Sequence, residues 1–301
     1  MGNSKARKSV ANKSRVEQQD QVAYLGPIGT FSHLVAARRF NTDVQLVSRP
    51  DIASIFDFLI EFPTAQAVVP IENSSGGAIY DTVDLLIAHV GSIHVLEDIS
   101  LDVRLALLGH QDTEIRRIYS HFVPLRHHRN WLSTNFPRAK VLPVNSTALA
   151  AQKASLLPHA AALASPDAAP LYGLHVLQFP IRPETANVTR FFVVGQRMRG
   201  KGANTKRWKT SAIFHLKNTC GSLHAFLGAF ARNSVNLRMI LSRPIPGSPE
   251  SYVFMMEVDG FIEDPQVKKA FEKASKWCEK LDLLGSYPSR PRYTASKRAA
   301  K

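Results

Sequence analysis

The sequence predicts an α/β protein built from two units, and three features of the chain carry this prediction. Between residues 21 and 195, short apolar runs alternate with helix-like segments, which is typical of a sheet with crossover helices. A polar, basic and glycine-containing stretch follows at residues 196–209, as expected for a linker. Residues 210–288 then run in the order strand, helix, strand, strand, helix, strand, which predicts a ferredoxin-like βαββαβ unit.

The composition fits a globular protein of the cytoplasm. The chain has 301 residues, of which 45% are hydrophobic, and this is enough to bury more than one core. No apolar run is long enough to cross a bilayer, and residues 1–20 lack the apolar region of a signal peptide. The two cysteines, Cys220 and Cys278, form neither a disulfide framework nor a zinc motif, so we expect a reducing compartment.

The net charge of +14 is confined to three segments. Residues 1–20 carry five basic and two acidic side chains, residues 196–209 carry six basic ones, and residues 289–301 carry five. The rest of the chain is neutral, so we expect disordered basic tails at 1–20 and 289–301 and no specific nucleic-acid site. Weak attraction to anions, or a short basic targeting leader, is the alternative interpretation of these ends.

Residues 21–195 divide into two sets of alternating elements, which predicts two lobes. In the first set we expect strands at 22–25, 44–47 and 67–70 and helices at 30–40, 52–62 and 79–89. In the second set we expect strands at 118–119, 141–143, 160–164 and 176–179, with helices ending near residues 135, 156 and 173. The extended segments 93–101 and 103–108 are candidates for crossing between the lobes, and the chain returns through residues 187–191.

Small polar side chains follow several of the predicted strands. In open α/β sheets, ligands collect at the carboxyl ends of the strands, and helix N-termini there present free N–H groups to anions. Each such residue alone is more often a simple helix cap. The candidates are Thr30, Ser32, Asn73, Ser74, Ser120, His121, Ser146 and Thr147.

The stretch Asn187–Phe192 combines a hydroxyl, a guanidinium and aromatic rings at the start of an apolar run. On a strand, successive side chains point to opposite faces, so Thr189 and Phe191 share one face and Arg190 lies on the other. Because strands twist at their ends, Thr189 and Arg190 could still both reach one cleft.

Taken in order, these segments resemble the prephenate dehydratase family. The motifs are YLGPIGTFSH (24–33), VVPIENSSGGAIYDTVDLL (68–86), YSH (119–121), NST (145–147), LYGLHVL (171–177) and NVTRFFVVG (187–195). The pattern from Lys209 to Pro244, with LGSYP at 284–288, resembles the ACT regulatory domain of that family. The resemblance covers residues 21–288 and implies a bilobed catalytic domain like that of periplasmic binding proteins, followed by an ACT domain.

The resemblance also implies a function. Family members convert prephenate to phenylpyruvate, carbon dioxide and water without a metal or organic cofactor, and some relatives act on arogenate instead. We therefore expect an enzyme of phenylalanine biosynthesis that is regulated by L-phenylalanine through its ACT domain and forms a homodimer or homotetramer. Residues 1–20 are too few for the long helices of a chorismate mutase module, so we expect a monofunctional protein.

Within this family, Thr189 is implied to donate a hydrogen bond to the departing ring oxygen. We expect Arg190 to bind the carboxylate that is retained, since tight binding of the one that leaves would oppose decarboxylation. A salt bridge from Arg190 to Glu72 is the alternative. Phe191 is expected to pack under the site, and the polar candidates above to form a carboxylate cradle.

The expected effector residues lie in the ACT part of the chain. The sequence departs from the family pattern at one place in the ACT part and at one place in the catalytic part. The implied effector residues are Gly221, Ser222, Leu223, Asn236, Ser242 and Arg243. Leu241 stands where the family has a glutamate, and Phe122–Leu125 replaces a proline and glutamine after YSH. These departures leave open a second hypothesis, a two-lobed small-molecule sensor without turnover.

Overall fold

The structure, a computed structural model, describes residues 21–40, 44–182, 186–198, 200–201, 207–245, 247–248 and 251–294. The predicted tail at 1–20, residues 199 and 202–206 of the predicted linker and residues 295–301 lie outside the described residues. None of the described helices combines the length and the apolarity needed to cross a membrane.

The first lobe is a mixed seven-stranded sheet with helices packed on it. Its path is β16-β5-β11-β3-β1-β2, and β4 pairs with β3. Its strands are β1 (Gln21–Leu25), β2 (Gln45–Arg49), β3 (Gln66–Asn73), β4 (Gly77–Ala78), β5 (His94–Asp102), β11 (Val188–Gly195) and β16 (Tyr293–Thr294). Its helices are α1 (Phe31–Phe40), α2 (Ile52–Glu61) and α3 (Tyr80–Ala88). The β1 strand is parallel to β2 and β3, whereas β11 is antiparallel to both of its neighbours.

The second lobe is a five-stranded sheet in the order β10-β6-β9-β7-β8. Its strands are β6 (Leu105–Gly109), β7 (Arg117–Ser120), β8 (Lys140–Pro143), β9 (Ala160–Ala164) and β10 (His175–Ile181). Its helices are α4 (Phe122–His127), α5 (Arg129–Asn135) and α6 (Thr147–Ser155), with a short 3-10 turn at Pro166–Ala168. Alanines of α6 and the wholly buried β9 meet in one cluster, since their small side chains let the helix approach the sheet closely.

The chain crosses between the lobes twice, once on each side of the second lobe. The first crossing lies between β5 and β6, and the second between β10 and β11. Residues 93–101 and 103–108 were both expected to cross between the lobes. In the structure they belong to separate sheets, and only the short link between them passes from one lobe to the other.

The C-terminal domain has the predicted βαββαβ order. It consists of β12 (Trp208–Leu216), α7 (Ser222–Ala231), β13 (Leu237–Pro244), β14 (Tyr252–Asp259), α8 (Pro265–Ala274) and β15 (Cys278–Pro288). The antiparallel sheet runs β13-β14-β12-β15 and carries an aromatic-rich core with α7 and α8 on one face.

The other face of this sheet shares a core with the first lobe. Met255 and Tyr287 pack in one buried cluster with Phe56 and Phe192, and the rings of Phe192 and Tyr287 lie 5.5 Å apart. Burying one such side chain contributes roughly 1.5–3 kcal/mol. The C-terminal domain is therefore packed against the first lobe rather than merely linked to it.

Residues 289–294 lie against the first lobe, which corrects the prediction of a solvated tail that begins at residue 289. The β16 strand pairs in parallel with β5, and Arg290 forms two hydrogen bonds to the buried carboxylate of Glu97. Burial opposes the charge of Glu97, but the hydrogen bonds from Arg39 and Arg290 outweigh it and lower the pKa of this carboxyl. Arg290 thus joins Arg39 in neutralising a buried acid.

Candidate active site

A cavity of about 550 Å³ lies between the two lobes, where both lobes and both crossing segments contribute side chains. Its volume is typical of a small-molecule site. Eight of the eleven side chains predicted to contact substrate line it, namely Thr30, Ser32, Asn73, His121, Ser146, Thr147, Thr189 and Phe191.

A hydrogen-bonded pair of strand ends forms the polar centre of this cleft. Asn73 ends β3 and lies opposite Thr189 of β11 in the antiparallel ladder. The side-chain oxygen of Asn73 accepts hydrogen bonds from the N–H groups of Ser75 and Gly76, at 2.9 and 3.0 Å. This assigns its Nδ2 as the donor, and Nδ2 contacts Oγ1 of Thr189 at 2.9 Å and Oδ1 of Asn187 at 2.8 Å.

The network leaves the Thr189 hydroxyl with a proton to give. Thr189 is 9% exposed, and its oxygen accepts the bond from Asn73. Among the residues that the structure describes, none accepts a hydrogen bond from this hydroxyl. The side chain is therefore a held, partly shielded hydrogen-bond donor at the edge of the cleft.

Two helices begin at the cleft, one from each lobe. Thr30 caps α1 by accepting from the N–H of His33 at 3.2 Å, and Ser146 caps α6 by accepting from the N–H of Leu149 at 3.0 Å. The two cap hydroxyls are occupied by the N–H groups of His33 and Leu149. The other N–H groups of each first turn have no partner within their helix and are available to a ligand. Neither helix has an acidic residue in its first turn, so both starts favour an anion.

The floor of the cleft is apolar. Phe191 is 1% exposed and packs beneath the polar edge, as the strand alternation predicts. Among the described residues that line the cleft there is no lysine, arginine, aspartate or glutamate, and His121 is the one titratable side chain. Burial lowers the pKa of His121, so its imidazole is neutral at pH 7.

Arg190 was expected to share the cleft with Thr189, but it does not line the cleft. Its guanidinium lies instead among three carboxylates. It donates to Glu72 at 3.0 Å, to Asp98 at 3.3 Å and to Glu257 of the C-terminal domain at 2.7 Å. Burial alone would lower the pKa of Arg190, but Glu257 and Asp98 outweigh it and raise it. The alternative interpretation is therefore correct, because Arg190 forms an ion pair with Glu72. Neighbouring side chains on a strand point to opposite faces, which explains why Arg190 lies away from Thr189 and the cleft.

Ser74 and Ser120 are also absent from the cleft lining. The Ser120 hydroxyl is fully buried and donates to the carbonyl of Leu163 at 2.7 Å, which joins β7 to its sheet. The Ser74 hydroxyl bridges the backbone of Ala186 and Val188, at 3.1 and 2.9 Å. Both serines follow strands, as substrate-binding residues often do, but their hydroxyls satisfy backbone groups.

A second cavity of about 750 Å³ lies between the first lobe and the C-terminal domain. Its lining includes Arg190, Asp98 and Glu257, and Lys209 bridges the two carboxylates there at 2.7 and 3.0 Å. Because these charges are paired with one another and the helix starts lie elsewhere, the interlobe cleft is the better candidate site.

The predicted effector residues occupy two places in the C-terminal domain. Gly221 has a left-handed φ of 82° at the start of α7, where Ser222 is buried and Leu223 is 38% exposed. Asn236 binds Asp259 just before β13. Ser242 is exposed on β13, and its neighbour Arg243 reaches across to the first lobe, where it contacts Asp84 of α3 twice at 2.6 Å.

Two residues of the cleft region were missed by the sequence prediction. Asn187 lies inside the motif that drew attention to Thr189, but an asparagine before a strand gives no sign of its partner 114 positions away. Tyr172 follows the 3-10 turn of the second lobe and donates to the carbonyl of Ile28 in the first lobe at 2.7 Å. Only the folded arrangement brings these pairs together.

Comparison with protein families matches residues 22–199 to the family described as Prephenate dehydratase and residues 210–275 to the ACT domain. A bifunctional chorismate mutase/prephenate dehydratase of Stutzerimonas stutzeri is 35% identical over 91% of this chain and 74% of its own length. Arogenate dehydratase/prephenate dehydratase 2 of Arabidopsis thaliana, a chloroplastic protein, is 32% identical over 93% of this chain and 74% of its own length.

Solved structures agree with these sequence matches over most of the chain. Prephenate dehydratase of Arthrobacter aurescens in complex with L-Phe superposes with a TM-score of 0.79 and 28% identity, over 93% of this chain and 92% of that one. GqqA, described as a novel type of quorum quenching acylase, gives a TM-score of 0.80 and 26% identity, over 90% and 98% of the two chains.

Proposed function

The chain belongs to the prephenate dehydratase family, and from that premise we propose that the decarboxylating dehydration of prephenate takes place in the interlobe cleft around Thr189. The products are phenylpyruvate, carbon dioxide and water, and the reaction serves phenylalanine biosynthesis. The observation that carries this location is the Thr189 hydroxyl, held by Asn73 at 2.9 Å with its own proton available.

The chemistry requires help for a leaving oxygen more than it requires a nucleophile. Loss of the ring carboxylate as carbon dioxide supplies the electron pair that expels the ring hydroxyl, and the ring becomes aromatic. A proton from solvent converts the departing hydroxide to water. The Thr189 hydroxyl donates a hydrogen bond to the departing oxygen, and Asn73 orients it by occupying its lone pair. A placed donor of this kind accelerates a reaction by about 10²–10⁴.

The carboxylates of prephenate are assigned to the helix starts in this proposal. Arg190 is engaged by Glu72, Asp98 and Glu257, so it is not used for the retained carboxylate. First-turn residues of α1 and α6 line the cleft from opposite lobes, and the free N–H groups of two helix starts suit two anions. Neutral amides hold a leaving carboxylate less tightly than an arginine would, which favours decarboxylation.

Neutral His121 completes the polar lining. Its pKa is lowered by burial, so at neutral pH it offers a hydrogen bond without a charge. Phe191 and the apolar floor exclude water from the ring face, which strengthens the hydrogen bond from Thr189.

Regulation by phenylalanine is assigned to the ACT domain. The Arthrobacter aurescens relative is a prephenate dehydratase in complex with L-Phe, and it covers 93% of this chain, which matches the ACT domain at residues 210–275. The residues proposed for the effector are Gly221, Ser222, Leu223, Asn236, Ser242 and Arg243.

A dimer or tetramer in the cytoplasm is part of the same proposal. The β13 strand forms an edge of the ACT sheet and can pair with a second copy. The free thiols of Cys220 and Cys278 suit a reducing compartment. Sedimentation of the purified chain, with and without phenylalanine, measures the oligomeric state.

The direct test incubates the purified chain with prephenate at neutral pH and follows phenylpyruvate by its absorbance in alkali. Enzymatic formation of phenylpyruvate is the expected result, and stabilisation by prephenate without product would favour the sensor hypothesis. A parallel assay with arogenate matters because the Arabidopsis relative is named for both substrates. A higher kcat/KM with arogenate than with prephenate would identify arogenate as the preferred substrate.

A further inference from the structure

The two lobes are tied together across the cleft by the side chain of Tyr172. Its phenol donates a 2.7 Å hydrogen bond to the carbonyl of Ile28, which lies in the loop between β1 and α1. Two further polar contacts between the lobes are longer, at 3.5 Å from Arg126 to the carbonyl of Ser75 and 3.8 Å from Arg38 to Asp167. We call the bond between Tyr172 and Ile28 the latch.

The latch is built on both sides by backbone geometry. In the second lobe, the turn after Pro166–Ala168 continues to Gly173, whose φ of 63° closes it, and the N–H of Tyr172 donates to the carbonyl of Ala168 at 3.2 Å. The turn therefore presents the phenol from a fixed position rather than from a free end.

In the first lobe, Gly29 lets the second lobe come close. A methyl group at Gly29 would lie 3.3 Å from the Tyr172 ring, 3.4 Å from Leu171 and 3.7 Å from Ala148. The glycine also has a φ of 88°, which most other residues rarely adopt. The loop is thus shaped to seat against Tyr172 and against the start of α6.

The position of the latch connects it to the carboxylate-binding ends of the helices. Ile28 and Gly29 directly precede Thr30, the cap of α1, while Ala148 lies in the first turn of α6. Closing the latch therefore sets the separation between the two helix starts. Burial and the neighbouring Tyr24 raise the pKa of Tyr172, so its phenol remains a protonated donor at neutral pH.

We propose that Tyr172 is a positioning residue that closes the cleft, holding the starts of α1 and α6 at the spacing that the two carboxylates of prephenate require. This proposal rests on the proposed function of the cleft. The substrate must enter and the product must leave, so the latch opens and closes during turnover. Without it, the open form is favoured, and substrate binding itself must close the lobes.

Tyr172→Phe tests the proposal because it keeps the ring and removes only the hydroxyl. We expect KM for prephenate to rise by about 3- to 10-fold, the equivalent of one neutral hydrogen bond, while kcat at saturation changes less. The matched control is Tyr252→Phe, which removes a hydroxyl from an exposed tyrosine of the ACT domain and leaves KM unchanged. An unchanged KM in Tyr172→Phe would overturn the proposal.

A second measurement does not depend on activity. Hydrogen–deuterium exchange in the peptide spanning residues 26–33 of the ligand-free chain should be faster in Tyr172→Phe than in the wild type, because the loop loses its anchor. Equal exchange in the two proteins would rule out the latch. If the wild type lacks dehydratase activity, the proposed function fails, and the exchange experiment still decides whether the latch exists.

Discussion

Nδ2 of Asn73 donates a 2.9 Å hydrogen bond to Oγ1 of Thr189, and the two residues face each other across β3 and β11. The donor is defined because the other atom of the amide accepts from the N–H groups of Ser75 and Gly76. The Thr189 hydroxyl therefore accepts from Asn73 and can donate its own hydrogen bond to a ligand in the cleft.

Asn73→Asp should reverse this bond. A carboxylate still accepts from Ser75 and Gly76, but it draws the Thr189 proton to itself and away from the leaving oxygen. We expect kcat to fall by about 10²-fold or more, as for loss of one preorganised donor, with a smaller change in KM. Steady-state kinetics measure both, and Asn135→Asp at an exposed helix end is the matched control. An unchanged kcat in Asn73→Asp would remove Asn73 from the mechanism.

Arg190→Met should destabilise the protein. It leaves the carboxylates of Glu257 and Asp98, which are 0% and 3% exposed, without their guanidinium partner. Removing one partner of a buried ion pair costs about 3–5 kcal/mol. Because Lys209 still pairs with both carboxylates, we expect a loss toward the lower end of this range, measured by the urea dependence of unfolding. Arg116→Met, in a pair whose side chains are both 65% exposed, should cost much less. Unaltered stability with a large rise in KM would instead restore Arg190 as a substrate ligand.

Asp84→Asn should change the response to phenylalanine without changing basal turnover. Arg243, a predicted effector residue, binds Asp84 twice at 2.6 Å and lies 4.5 Å from the ring centre of Tyr80. If the effector carboxylate competes for Arg243, loss of Asp84 should tighten inhibition by up to about 5-fold, the limit for an exposed pair. Asp81→Asn on the same helix is the control. Weaker inhibition in Asp84→Asn would show that the pair supports the effector site.

Thermal stability should fall as the pH decreases from about 7 to 5.5, because partial burial opposes protonation of two histidines in the folded chain. Burial lowers the pKa of both His33 and His121 in the folded chain. At pH values just below the ordinary histidine pKa, the unfolded chain therefore binds more protons than the folded chain. The free energy of unfolding is highest above that pKa and decreases as the pH falls below it. His121→Asn keeps a cap for α4 and removes one titrating group, so its Tm should depend less on pH. An identical pH dependence would mean that His121 titrates normally.

Local sequence patterns predicted the elements that local forces determine. The caps at Thr30 and Ser146, the buried Phe191 and the order of elements in the C-terminal domain all follow from hydrophobic spacing and capping chemistry. Strand alternation alone also placed Arg190 opposite Thr189, and the error came from assuming that twist would override it.

Contacts between distant segments could not be predicted. Glu97 attracts Arg290 from 193 positions away, which orders residues that read as a solvated basic tail. The Ser120 hydroxyl binds a carbonyl of the neighbouring strand, 43 positions away, and the sequence does not distinguish such a hydroxyl from a ligand-binding one. Likewise, the predicted single helix ending near residue 135 is two helices that meet at His128.

The central claim is that the Thr189 hydroxyl assists departure of the ring oxygen, and kcat of Thr189→Ala measures this most directly. We expect kcat to fall by about 10²–10⁴, with Tm unchanged and with partial activity retained in Thr189→Ser, which keeps the hydroxyl. Full turnover of prephenate by Thr189→Ala would contradict the account.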